Sequence, residues 1–208
     1  MGTRHLLAAL ADLPAAPRSV LLASSANVYG NATAGELDET TPPQPANDYA
    51  VSKLAMEHMA RLWQDRLPIT IARPFNYTGA GQSSDFLLPK IMGHYQRCAP
   101  TLELGNLDVW RDFSDVRAVV QAYRRLLQVN SDGHTVNICS GHTHSLREVL
   151  SMAEHLSGHQ LQVKINPAFV RANEVKTLSG NPARLRALIG ADWHSPPLQD
   201  TLCWMLQS

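Results

Sequence analysis

Tyr49 and Lys53 stand four residues apart in "NDYAVSK", and Ser25 lies just past an apolar run in "SVLLASSANVYG". On a helix, residues four apart share a face, so the phenol and the ammonium stand side by side. A free tyrosine loses its proton near pH ~10, and a neighbouring cation favours the phenolate. Such a pair can give or take a proton close to neutrality. A serine at the end of a strand lies where open α/β sheets bind their ligands, outside the carboxyl ends of the strands. Its hydroxyl can hold a carbonyl or alcohol oxygen. Tyr-x-x-x-Lys alone arises by chance in many helices. The specific signal is the ordered set: apolar strand, serine pair, proline-rich loop, Tyr-x-x-x-Lys, then "ARPFN".

The elements that must position these groups are legible as a pattern. Residues 3–12 read as a helix with Leu6, Leu7 and Leu10 on one face, closed by Pro14 and Pro17. "SVLLAS" has the continuous apolar character of a strand buried on both faces. Residues 30–46 form a long loop, and Asn47 or Asp48 caps a helix that runs to about Arg66. Its apolar stripe is expected to be Val51, Leu54, Ala55, Met59 and Leu62. "ITIAR" is the next strand, and residues 85–98 are helical. "TLELGN" and "VWRDF" are expected to pair as a short hairpin. A helix follows Asp115 with Val116, Val119, Val120, Tyr123 and Leu127 inward. "HTVNIC" and "LQVKIN" are strands flanking a helix that Ser145 and Glu148 start with a capping box, and the tail offers two short helices. Strands alternating with helices imply an α/β fold with a parallel sheet. Residues 1–74 are expected to hold the catalytic groups, and 75–208 the last sheet strands and a small substrate lobe.

Composition narrows the partners. Eighteen basic and eighteen acidic residues give zero formal charge, no field for nucleic acid or an anionic membrane. No apolar run approaches a membrane span. The opening run Leu6 to Ala11 is short and meets Asp12, so no secretion signal is expected. Three separated cysteines without a CxxC pattern fit a reducing, cytoplasmic setting. His155 and His159 are four apart, but Ser157 and Gly158 end the helix between them, and no metal site is expected.

The ordered set around Ser25, Tyr49 and Lys53 resembles the extended short-chain dehydrogenase/reductase family, the sugar-nucleotide epimerases, dehydratases and reductases. The resemblance covers nearly the whole chain. "RPFNYTGAGQ", "LELGNLDVWRDFSDVRAVVQAY", "VNICSG" and "VRANEVKTLSGNPARL" narrow it to the branch of GDP-mannose 4,6-dehydratase and GDP-4-keto-6-deoxy-mannose reductase. The resemblance implies a Rossmann-like sheet and a catalytic set of Ser25, Tyr49 and Lys53. It implies an NADP or NAD cofactor, with Lys53 and Tyr49 on the nicotinamide ribose and Ser24 and Pro74 lining the nicotinamide. Asn76 matches a position at the substrate diphosphate; Lys90, Asn106, Arg111, Arg171 and Glu174 match positions around the nucleotide of a GDP-linked sugar. Cations suit a diphosphate, and a carboxylate suits ribose hydroxyls or a guanine edge. Exposed surface charge is the alternative for each, and a local ion pair with Asp112 is the alternative for Arg111. A homodimer through helices 3–12 and 47–66 is also implied.

Dehydratases of this branch carry a glutamate two residues after the catalytic hydroxyl, where this chain has Asn27. An amide cannot remove a proton from a sugar ring. The fucose-synthase type uses a cysteine in the serine segment, and there is none here. The implied reaction is reduction of a GDP-4-keto-6-deoxy-hexose at C4 with Tyr49 as proton donor; a 4-epimerase or 4,6-dehydratase is the alternative. A Gly-x-x-Gly-x-x-Gly turn, which the family uses for the cofactor pyrophosphate, does not occur in the sequence. By resemblance the first three strand–helix units are absent, roughly 90 residues at about 30 per unit. A non-catalytic relic or nucleotide-binding module is therefore a further reading.

Overall fold

The computed structural model describes residues 2–31, 35–170 and 175–208. Arg171 and Glu174 lie outside the described residues. The first layer is a parallel three-stranded sheet of order β1-β3-β7, formed by β1 (Val20–Ala23), β3 (Ile69–Pro74) and β7 (Thr135–Ile138). All six residues of β3 are buried, as a central parallel strand covered on both faces requires. Helices α1 (Gly2–Ala11) and α2 (Asp48–Arg61) cover one face, where Leu7 and Ala60 meet Val20, Leu22, Ile69 and Ile71. Helices α4 (Val116–Leu126) and α6 (Ala183–Ile189) join the other cluster, with Ala72, Val136 and Ile138 from the sheet and Trp193 from the loop after α6.

The second layer is built on β6 (Trp110–Asp115). It pairs in parallel with β10 (Thr177–Gly180) and with β4 (Asn76–Thr78), β10 carries β2 (Glu36–Leu37), and β8 (Thr143–Ser145) adds antiparallel. A separate parallel pair joins β5 (Thr101–Leu104) to β9 (Gln162–Ile165). Helices α3 (Leu87–Gln96), α5 (Leu146–Ser157) and α7 (Leu198–Leu206) bury one apolar core with β5 and β6, including Ile91, Leu102, Phe113, Val149 and Leu202.

Three expectations are corrected. The hairpin of 101–106 with 109–113 does not form, because β5 takes β9 as its partner and β6 takes β4, β8 and β10. A short apolar run specifies a strand but not its neighbour, and a parallel neighbour lies a crossover away in sequence. The stripe of α2 is displaced: Val51 and Leu62 are 51% and 78% exposed, while Ala50, Glu57 and Ala60 are buried. On α4, Val120 and Leu127 face outward, and Ala118, Val119, Ala122 and Leu126 pack inward. The capping box of α5 forms as read, with Ser145 Oγ accepting from Glu148 N and Glu148 Oε2 accepting from Ser145 N.

Candidate active site

Ser24 and Ser25 leave the carboxyl end of β1. The Ser24 N–H donates to the Ala72 carbonyl at 2.7 Å, which carries the β1–β3 ladder one step beyond the strand. Ser25 has an extended backbone, φ −160° and ψ 148°, and caps a single 3₁₀ turn over Ala26–Tyr29; its Oγ accepts from the Asn27 N–H at 3.1 Å. The turn ends at Gly30, whose φ of +63° lies in the region that favours glycine. A Cβ there would run into the Gln44 carbonyl oxygen. The Gln44 N–H also donates to the Val28 carbonyl at 2.9 Å, so the proline-rich loop lies directly on the serine segment.

Helix α2 begins where Asn47 Oδ1 accepts from the Ala50 N–H at 2.9 Å. Tyr49 is in its first turn and 51% exposed. Lys53 follows one turn on, with Nζ 5.6 Å from the Tyr49 ring centroid. The Lys53 ammonium donates to the Ala23 carbonyl at 2.9 Å. The structure thus brings Ser25, Tyr49 and Lys53 to one end of the sheet. Pro74 ends the neighbouring strand β3 and is buried there.

Ser24 turns its hydroxyl inward. It is 3% exposed, and its Oγ donates to Glu57 Oε1 at 2.6 Å. Glu57 is fully buried and meets Arg73, which donates from Nε to Oε1 at 2.8 Å and from Nη2 to Oε2 at 2.6 Å. The Arg73 guanidinium lies 4.8 Å from the Tyr29 ring centroid, and the Tyr29 hydroxyl donates to Asn137 Oδ1 at 2.7 Å. Burial is the largest single influence and works against the charge on Arg73, but the bonds and charge of Glu57 together with Tyr29 outweigh it and raise its pKa. Burial also pushes the Tyr29 phenol up, so it stays a neutral donor. Sequence reading passed over this buried polar framework. Its signal was an arginine inside the otherwise apolar strand "ITIARP", which cannot be buried there without a partner.

The remaining predicted residues lie on the second layer. Asn76 on β4 donates to the Asp112 carbonyl at 3.3 Å. Arg111 on β6 is half-buried and donates to the Trp110 carbonyl at 2.8 Å. Asp112 turns inward, accepting from Ser140 N at 2.9 Å, Ser140 Oγ at 2.8 Å and Gly141 N at 2.8 Å. Burial nevertheless raises its pKa. Lys90 on α3 donates to the Glu103 carbonyl at 2.9 Å and stands 4.6 Å from the Phe169 ring centroid. Asn106, past β5, accepts from the Asp108 N–H at 2.9 Å. Among the described residues no cluster of three or more metal-ligating side chains occurs.

The chain has clear relatives among known proteins. The model of the GDP-mannose 4,6-dehydratase family matches residues 1–195. The GDP-6-deoxy-D-talose 4-dehydrogenase of Aggregatibacter actinomycetemcomitans is 36% identical over 93% of this chain and 66% of its own length. The GDP-6-deoxy-D-mannose reductase of Pseudomonas aeruginosa is 35% identical over 91% of this chain and 65% of its own length. The chain therefore spans about two-thirds of the length of these curated relatives. A Burkholderia cenocepacia J2315 protein classed with the epimerases superimposes with TM-score 0.96 at 59% identity, over 99% of this chain and 68% of that one. RMD from P. aeruginosa complexed with NADPH superimposes with TM-score 0.90 at 33% identity, over 99% of this chain and 70% of that one. The match over residues 1–195 and the two relatives above 30% identity carry one conclusion: this chain belongs to the GDP-mannose 4,6-dehydratase family, in the reductase and dehydratase branch of the extended short-chain dehydrogenases/reductases.

Proposed function

We propose that the chain carries the proton-transfer and substrate-binding part of an NAD(P)-dependent nucleotide-sugar reductase. The observation that carries this reading is the convergence of Tyr49 and Lys53 on the β1 end that bears Ser25, with Lys53 anchored on the Ala23 carbonyl. The substrate class is a GDP-4-keto-6-deoxy-hexose, by likeness to the two curated relatives. Ser25 Oγ holds the C4 oxygen, and the Tyr49 phenol delivers a proton to it as it becomes an alcohol. Lys53 stands beside that phenol, its ammonium 5.6 Å from the ring centroid. A bound nicotinamide supplies the hydride.

The donors present fit the nicotinamide end of such a cofactor: the Lys53 ammonium and the Tyr49 phenol can bond ribose hydroxyls, and Pro74 ends the strand next to β1. Pro74 and the backbone of Ser24 would line the ring, since the Ser24 hydroxyl is committed to Glu57. Asn76, Lys90, Asn106, Arg111, Arg171 and Glu174 would hold the GDP moiety. Asn27 in place of a carboxylate argues against dehydration. Epimerisation at C4 is the second reading, favoured by the likeness to the Burkholderia protein. Leu6, Leu13, Val51 and Leu62 are large apolar groups left exposed on or beside α1 and α2, which supports a homodimer through those helices.

Calorimetric titration of NADPH and NADH, with and without GDP, tests the reading first. Micromolar binding of a nicotinamide cofactor followed by NADPH-dependent reduction of the 4-keto sugar nucleotide is the expected result. Binding of GDP alone would leave a nucleotide-binding module, and binding of neither would sink the proposal. Light scattering on a sizing column reads the dimer.

A further inference from the structure

The four-residue spacing that sets Tyr49 beside Lys53 continues one turn on to Glu57. The carboxylate there is engaged from every side: the Ser24 hydroxyl at 2.6 Å, two nitrogens of Arg73 at 2.8 and 2.6 Å, and Arg61 Nη2 at 3.5 Å. Arg73 in turn packs against the face of Tyr29. Ser24 and Tyr29 bracket the segment that carries Ser25. One buried ion pair therefore grips that segment at both ends, by a hydroxyl at one and by a ring at the other. Lys53 takes the preceding residue through the Ala23 carbonyl, and the Ala72 carbonyl, one residue before Arg73, takes the Ser24 N–H.

A buried ion pair adds little stability over apolar residues of the same size. What it supplies that apolar packing does not is direction. Charge-assisted bonds are short and angular, and they fix one rotamer of each partner. We infer that Glu57, with Arg73 as its counter-ion, is a positioning residue that sets the Ser25 hydroxyl against the Tyr49 phenol. The inference rests on the reading of Ser25, Tyr49 and Lys53 as the reacting set.

Two variants test it. Ser24→Ala removes only the hydroxyl that Glu57 grips and leaves the ion pair whole. Glu57→Gln keeps an acceptor for Ser24 but removes the charge that Arg73 faces. In Ser24→Ala, kcat for NADPH-dependent reduction of the 4-keto sugar nucleotide should fall about tenfold, the scale of one lost bond to a charged group. KM for sugar nucleotide and cofactor should stay within about twofold, since binding groups are untouched. Glu57→Gln should lose at least as much, and the double variant no more than Glu57→Gln alone, because both act through one contact. An unchanged kcat in Ser24→Ala, or a loss confined to KM, overturns the inference. If Glu57→Gln does not fold, Ser24→Ala decides alone.

A second readout needs no turnover. The Asn27 N–H donates to Ser25 Oγ, so its hydrogen exchange reports where that hydroxyl sits. Exchange at Asn27 should speed about tenfold in Ser24→Ala while core amides of α4 keep their protection. If the wild-type chain turns nothing over yet Asn27 responds, the reductase reading fails and the hold of Glu57 on Ser25 stands. If Asn27 does not respond, the inference fails whatever the activity.

Discussion

Helices α2 and α4 are of similar length and both pack on the first sheet, yet they are built oppositely. Helix α4 puts Ala118, Val119, Ala122 and Leu126 inward and follows the ordinary amphipathic rule. Helix α2 buries two alanines and a glutamate, and turns Tyr49, Val51 and Leu62 outward. An element built only for packing has no reason to bury a carboxylate. The inward face of α2 grips the serine segment through Glu57 and Ser24, and its first turn presents Tyr49, the proposed proton donor.

Tyr49→Phe breaks the contrast at its functional end. Turnover should drop by about 10²–10⁴-fold, the span of a lost general acid. Thermal stability should barely move, within about 0.5 kcal/mol, since Tyr49 is half exposed. Glu57→Leu comes next. It strands a buried Arg73 and should cost about 3–5 kcal/mol in urea unfolding. Pairing it with Arg73→Met should restore most of that stability without restoring turnover, which separates packing from direction. On α4 only volume counts. Leu126→Ala should cost about 2–5 kcal/mol, whereas Val120→Ala, 60% exposed in the wild type, should stay within about 0.5 kcal/mol. A larger effect at Val120 would mean that the α4 face is covered by something.

The smallest effect is a pH dependence at the cap of α4. Burial alone would raise the Asp115 pKa, but bonds from the Arg117 side chain and N–H and from the Thr201 hydroxyl hold it below the ordinary value of 3.8. A depressed folded-state pKa contributes stability that is present above the unfolded value and lost as pH falls through the folded one. Urea midpoints of the wild type should therefore drop from neutral pH into the acid range, and Asp115→Asn should flatten that limb.

The same contrast marks how far the sequence could be read. The start of helix α5 was legible to the residue, because a capping box and an apolar period agree there. Strand β3 was legible from the short β-branched run Ile69-Thr70-Ile71 bounded by Pro68 and Pro74. The partner of β5 was not, since nothing in four residues names a parallel neighbour about sixty residues away. The stripe of α2 was misplaced because counting apolar residues ignores that a carboxylate can be buried when an arginine meets it. Tyr49, Lys53 and Ser25 were found from spacing and from resemblance. Glu57 was missed although it continues their period, because a glutamate on a helix reads as solvent-facing until Arg73 is considered with it. The residues proposed for nucleotide binding rested on resemblance alone, and only those on β4, β6, α3 and the loop after β5 fall among the described residues.

Gly30 makes the serine segment intolerant of drift in a way that its serines do not. Its backbone lies against the Gln44 carbonyl at a positive φ, so a side chain there would both strain the chain and push the proline-rich loop away. In a saturation library of residues 24–30 selected only for folding, position 25 should accept several small residues, and position 30 should return glycine alone. In this segment a backbone constraint falls on a residue that has no side chain to offer a ligand.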